Sequence, residues 1–129
     1  FFHRLPPSIK ALESNYCRLR EKHFAKLAAL SCLQTLDLSG NKQVFGTNFQ
    51  LLPCSLNAIR LKFCHVIDDS ISQFARLRFL EKLDLSSNSE IAGGAFECLP
   101  TSLIEIRFNY CDDFFGLTDE DLGRLSHLT

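Results

Sequence analysis

The chain has 129 residues, of which 46% are hydrophobic and 22% charged, with a formal net charge of −1. That is the make-up of one ordinary globular domain, and no apolar run approaches the ~20 residues that a membrane-spanning helix needs. The net charge conceals a split: residues 1–65 carry nine Lys/Arg against three Asp/Glu, a formal +6, and residues 66–129 carry five against twelve, a formal −7. Such a split can steer partners by sign, and it is also what two solvated stretches of a longer array would show.

Taken in chain order, five segments share the pattern L-x-x-L-x-L-x-x-N/C. They are IKALESNYC from Ile9, LQTLDLSGN from Leu33, LNAIRLKFC from Leu56, LEKLDLSSN from Leu80 and LIEIRFNYC from Leu103, and a partial sixth opens at Leu128. The starts are 24, 23, 24, 23 and 25 residues apart. A second period lies on top of the first. Cys17, Cys64 and Cys111 recur every 47 residues, as do Phe2, Phe49 and Phe96, and Pro6, Pro53 and Pro100. The unit is therefore a pair of unlike repeats, one ending on Cys and one on Asn.

Each motif predicts a short strand whose alternate apolar residues, such as Leu36 and Leu38, point inward. Asn41 and Asn88 stand where the chain leaves the strand, and their amides can satisfy backbone groups that would otherwise be buried unpaired. Cys17, Cys64 and Cys111 take that place in the other repeats as small buried hydrophobes. Phe2, Phe49 and Phe96 are expected to form a spine of rings between coils. Pro6, Pro53 and Pro100 each force an extended predecessor and so aim the chain into the next strand. Ser14 stands where other repeats have Leu or Phe, which predicts a looser first strand.

The return arms differ. After Cys64, Asp68 and Asp69 precede Ile71, Phe74 and Leu77 at helical spacing. After Cys111, Thr118 is a good N-cap before Asp119, Glu120 and Asp121, with Leu122, Leu125 and Leu128 following. After Asn41 and Asn88 the arms carry Gly46 or Gly93-Gly94 and then Pro, which predicts short turns.

These motifs resemble leucine-rich repeats, whose period is 20–29 residues. The Cys-type arms, from Cys64 and from Cys111, are similar to the cysteine-containing repeats of intracellular eukaryotic proteins, a class that includes the substrate-recognition arms of F-box proteins. The Asn-type repeats resemble the generic L-x-x-L-D-L-S-x-N form. The resemblance implies an α/β solenoid over residues 1–129: a right-handed arc with parallel strands on the concave face and helices or short turns on the convex face. It also implies an intracellular protein. Because solenoid coils bury their apolar edges only against neighbours, Phe1, Phe2 and Leu128 are expected to be covered by flanking repeats of a longer array or by another subunit.

No G-x-S-x-G, glycine-rich phosphate loop or H-E-x-x-H motif is present, and the four histidines have no recurring carboxylate partner, so no enzymatic activity and no cofactor are expected. Cys17, Cys64 and Cys111 fall on every second coil, about 10 Å apart if strands stack at ~4.8 Å. That is beyond one zinc shell and beyond disulfide reach. Cys32 and Cys54 come on adjacent coils, near the strand starts. Six reduced thiols and no metal are the expectation.

Solenoids bind along their strand face. The outward middle row reads Glu13, Asp37, Arg60, Asp84, Arg107, with signs that alternate from Asp37 on. Either the row pairs internally, at little gain per pair, or Arg60 and Arg107 reach a partner's carboxylates. The row at the strand exit reads Tyr16, Gly40, Phe63, Ser87, Tyr110. Its aromatics are either contact anchors or lids over the small residues between them. A protein partner on this face is the leading expectation, whether as a scaffold or as the recognition arm of a ubiquitin ligase. The rival is an RNA-associated role for the basic half, where Arg18, Arg20, Lys22 and Lys26 cluster beside an aromatic.

Overall fold

The computed structural model describes residue 2 and residues 4–109. Tyr110, Cys111, the arm from Thr118 and the partial repeat at Leu128 lie outside the described residues.

Five three-residue strands form one parallel sheet in chain order: β1 (Ala11–Glu13), β2 (Thr35–Asp37), β3 (Ala58–Arg60), β4 (Lys82–Asp84) and β5 (Glu105–Arg107). The register is constant, with Leu12, Leu36, Ile59, Leu83 and Ile106 side by side at the strand centres. Backbone bonds carry the ladder past the strand ends, as where the Leu38 N–H donates to the Arg60 carbonyl at 3.0 Å and the Leu61 N–H to the Asp84 carbonyl at 2.8 Å. The core fills the space between sheet and return arms. It takes two inward residues per strand motif, such as Leu36 and Leu38, and the arm residues facing them, such as Val44, Val66 and Ile91.

The two kinds of arm follow the sequence. The Cys-type arms hold helix α1 (Phe24–Leu27), preceded by a 3₁₀ turn at Glu21–His23, and helix α2 (Asp68–Ile71), continued by 3₁₀ turns at Ser72–Arg76. The Asn-type arms hold only the 3₁₀ turns Phe49–Leu51 and Phe96–Cys98. Leu52 and Leu99, each before a proline, are extended with ψ of 140° and 144°.

The phenylalanine spine is denser than the 47-residue spacing predicts. Phe24 and Phe74 of the Cys-type arms join it, with ring centroids 5.7 Å from Phe24 to Phe49 and 5.0 Å from Phe49 to Phe74. Rings from both kinds of arm thus alternate along the solenoid. The first strand is not loose at Ser14: its N–H donates to the Asp37 carbonyl at 2.8 Å, and its carbonyl accepts the Asn41 amide at 2.8 Å.

The asparagines tie neighbouring coils together. Asn41 Oδ1 accepts the N–H groups of Cys17 and Leu19, while its Nδ2 donates to the carbonyls of Ser14 and Leu38. Asn88 Oδ1 accepts the Val66 N–H, and its Nδ2 donates to Leu61 and Leu85. Both side chains are buried, where leaving such groups unpaired would cost about 1–3 kcal/mol each. Acids of the Cys-type arms do similar work one coil away. Glu21 accepts the N–H groups of Gly46 and Asn48, and Asp68 those of Ala92, Gly93 and Gly94.

Candidate functional site

The middle row comes together as the spacing predicts. Glu13, Asp37, Arg60, Asp84 and Arg107 are register partners across all five strands. The ionic ladder that alternating signs would make does not form along that row. Arg60 meets Asp37 at 3.9 Å, but Asp84 pairs with Lys62 at 3.5 Å, and Arg107 turns to Glu105 on its own strand at 2.6 Å. The reason lies in the aspartates. Asp37 Oδ1 accepts the N–H and hydroxyl of Ser39 at 3.0 and 2.6 Å, and Asp84 Oδ1 accepts the Ser86 N–H at 3.0 Å. Each carboxylate is drawn toward the turn leaving its strand, away from the middle of the face.

Arg60 is left 64% exposed, and Arg107 58%. Arg60 stands between two hollows of the concave face. One, of about 180 Å³, is lined by Leu12, Glu13, Thr35, Leu36 and Asp37. The other, of about 110 Å³, is lined by Ile59, Lys82, Leu83, Asp84, Glu105 and Arg107. Ala58 and Arg60 line both.

The exit row shares a backbone conformation that the sequence signals only at Gly40. Tyr16, Gly40, Phe63 and Ser87 have φ of 53°, 78°, 52° and 61°. Each is held there by its own N–H, which donates to the next coil at 2.7–3.2 Å. A left-handed conformation costs a side-chain-bearing residue about 1–2 kcal/mol, and for an aromatic it is a true outlier. Tyr16 is 70% and Phe63 51% exposed. The Tyr16 ring nevertheless covers Gly40, whose missing side chain makes the space for it. Tyr16 is therefore both a lid and an open surface. Tyr110, the third aromatic of the row, lies outside the described residues.

Under this row the Cys64 thiol is fully buried and donates to the Leu38 carbonyl at 3.3 Å. Burial pushes its pKa up to about 11, which keeps it protonated and unreactive. The five described cysteines are all free. Cys32 and Cys54 are exposed, and Cys54 Sγ accepts a bond from Arg76 Nη1 at 3.0 Å.

Sequence reasoning missed three exposed apolar side chains: Phe45, Phe79 and Ile104. None repeats at 47 residues, so no period marks them. Phe45 lies 5.9 Å from the His65 ring, centroid to centroid.

The leucine-rich-repeat family matches residues 29–44, which hold β2 and Asn41. No curated protein sequence matches the chain. Among solved structures, the C-terminal domain of tropomodulin from Caenorhabditis elegans superposes with a TM-score of 0.68 at 10% identity, over 98% of this chain and 86% of that one. The leucine-rich-repeat-containing protein LegL7 from Legionella pneumophila gives 0.56 at 17% identity, over 99% of this chain but only 47% of its own length. At such identities the likeness speaks for fold alone, and with the family match it makes this chain a leucine-rich-repeat solenoid.

Proposed function

We propose that this solenoid is a non-catalytic recognition module that binds a protein partner on its concave face, around Arg60 and Phe63. The observation that carries this reading is the aromatic row. Phe63 and Tyr16 stay exposed in a left-handed conformation that Gly40 and Ser87 occupy with smaller side chains. Retained strain at an exposed place points to use, and exposed aromatics beside an under-paired arginine are the side chains that dominate binding at interfaces. Arg60 between two hollows offers a fork for a partner's carboxylate. The free thiols, two of them exposed, support residence in a reducing intracellular compartment.

The test is affinity capture by the intact protein, by an Arg60→Glu/Phe63→Ala variant, and by Gln50→Ala on the convex side. A partner held by the wild type and by Gln50→Ala, but at least about tenfold more weakly by the concave variant, is the expected result. Equal retention by all three would overturn the concave site.

A further inference from the structure

A second surface lies on the strand-exit side of the first two coils; it shares Tyr16 with the aromatic row but includes neither Arg60 nor Phe63. Tyr16, Arg18, Arg20, Gly40, Lys42 and Gln43 line a hollow of about 270 Å³. Arg20, Glu21, Lys22, Gln43 and Phe45 line another of about 390 Å³. Arg20 and Gln43 belong to both and are joined by a parallel backbone bridge, so the hollows form one groove. Tyr16 serves the first hollow and Phe45, 43% exposed, the second.

The groove is positive and its cations are uncommitted. Arg18, Arg20, Lys22 and Lys42 are exposed, and among the described residues none of them forms an ion pair. The one carboxylate, Glu21, is engaged by the N–H groups of Gly46 and Asn48 at 2.6 and 3.2 Å. Neighbouring His23 is held below its ordinary pKa, by burial first and then by the charge of Lys22.

The fold does not require these charges. Forty-seven residues on, the places of Tyr16, Arg18, Arg20 and Lys22 are taken by Phe63, His65, Ile67 and Asp69, and those of Lys42 and Gln43 by Ser89 and Glu90. The aromatic persists while the cations do not. Four cations between two exposed rings suit a ligand with regularly spaced negative charge and flat faces. An acidic peptide would use the cations but leave the rings wet. A duplex would offer phosphates, with its bases already stacked.

We propose that this groove binds a single-stranded nucleic acid. Backbone phosphates lie on Arg18, Arg20, Lys22 and Lys42, and bases stack on Tyr16 and Phe45.

The test is fluorescence anisotropy of the intact protein with a labelled single-stranded RNA of about 12 nucleotides, a length within the usual range for such grooves. Binding should weaken with salt with a log–log slope of about −3, as four phosphate contacts require. Replacing Arg18, Arg20, Lys22 and Lys42 by Ala should cut affinity at least about tenfold at low salt and remove most of that slope. Should that variant misfold by circular dichroism, Lys22→Glu/Lys42→Glu, which breaks no hydrogen bond, tests the same point. Tyr16→Ala should weaken binding about fivefold or more and leave the slope unchanged, since stacking carries no charge. Absence of binding at low salt would overturn the proposal. So would displacement of the RNA by polyphosphate or a phosphorylated peptide at equal charge, or equal affinity for a duplex, because each would show that the rings play no part.

Discussion

The Tyr16 ring packs so closely over Gly40 that a methyl group built on Gly40 would stand 2.3 Å from the ring carbons Cδ1 and Cε1. Gly40 also has φ of +78°. A side chain here therefore meets two separate penalties, one steric and one conformational. The conformational one alone is about 1–2 kcal/mol. Gly40→Ala is expected to destabilise the protein by at least that much. In a Tyr16→Ala background the steric part should vanish and the conformational part remain. Urea melts of the four proteins in this cycle measure the difference. Equal costs in both backgrounds would show that the ring swings aside freely.

Asp68 ties one coil to the next through three backbone N–H groups, from Ala92, Gly93 and Gly94, at 2.9–3.2 Å. Bonds to a charged acceptor contribute about 1.5–3 kcal/mol net. Asp68→Ala is expected to lose about 2–3 kcal/mol, and Asp68→Asn, which keeps one accepting oxygen, less. Hydrogen exchange at Gly93 and Gly94 should quicken in both. Unchanged exchange at those amides would mean that the loop is held by its own packing.

Much of this arrangement is written in the chain. Constant coil length and the two-residue alternation of strands fix which side chains share a row, so Glu13, Asp37, Arg60, Asp84 and Arg107 align as the spacing predicts. What a side chain does within its row is another matter. Asp37 and Asp84 turn to the residue two places on, a local contact that row-by-row reading of charge overlooks. The spine hid Phe24 and Phe74 for a different reason. They lie 50 residues apart rather than 47, one at the start of α1 and the other in the 3₁₀ turns that follow α2. Equal places in space are then unequal offsets in sequence. Likewise, left-handed backbone is announced by Gly40 but not by Tyr16 or Phe63.

Cys64 gives the protein a pH dependence with a definite sign. Its folded-state pKa is raised from 9.0 to about 11 by burial, so the unfolded chain loses this proton first as pH rises. Stability is unaffected by this thiol below pH 9 and falls between about pH 9 and pH 11. The loss reaches about 2–3 kcal/mol at 1.36 kcal/mol per pKa unit. Cys64→Ala costs stability at neutral pH through the cavity it leaves, but its melting temperature should fall less steeply across that window than the wild type's. Parallel pH profiles would remove Cys64 as the source. Under native conditions at pH 8, iodoacetamide should modify Cys32 and Cys54, which are exposed, well before Cys64.

The concave row contains residues of two kinds, and substitution should separate them. Asp84 is buried, accepts the Ser86 N–H and pairs with Lys62. Asp84→Ala leaves that N–H and the lysine without their partner and is expected to destabilise the solenoid by about 1–3 kcal/mol. Arg60 is 64% exposed, and its one ion pair is long, 3.9 Å. Exposed pairs of that sort contribute about 0–1 kcal/mol, so Arg60→Ala should leave the urea midpoint almost where it was. If Arg60 faces a partner's carboxylate, the same substitution should cost at least about tenfold in affinity, as truncation of a buried charge pair does at interfaces. Stability and binding would then be divided between neighbours on adjacent strands. A large loss of stability in Arg60→Ala would instead mean that the arginine holds the sheet together, and the concave face would lose its strongest candidate contact.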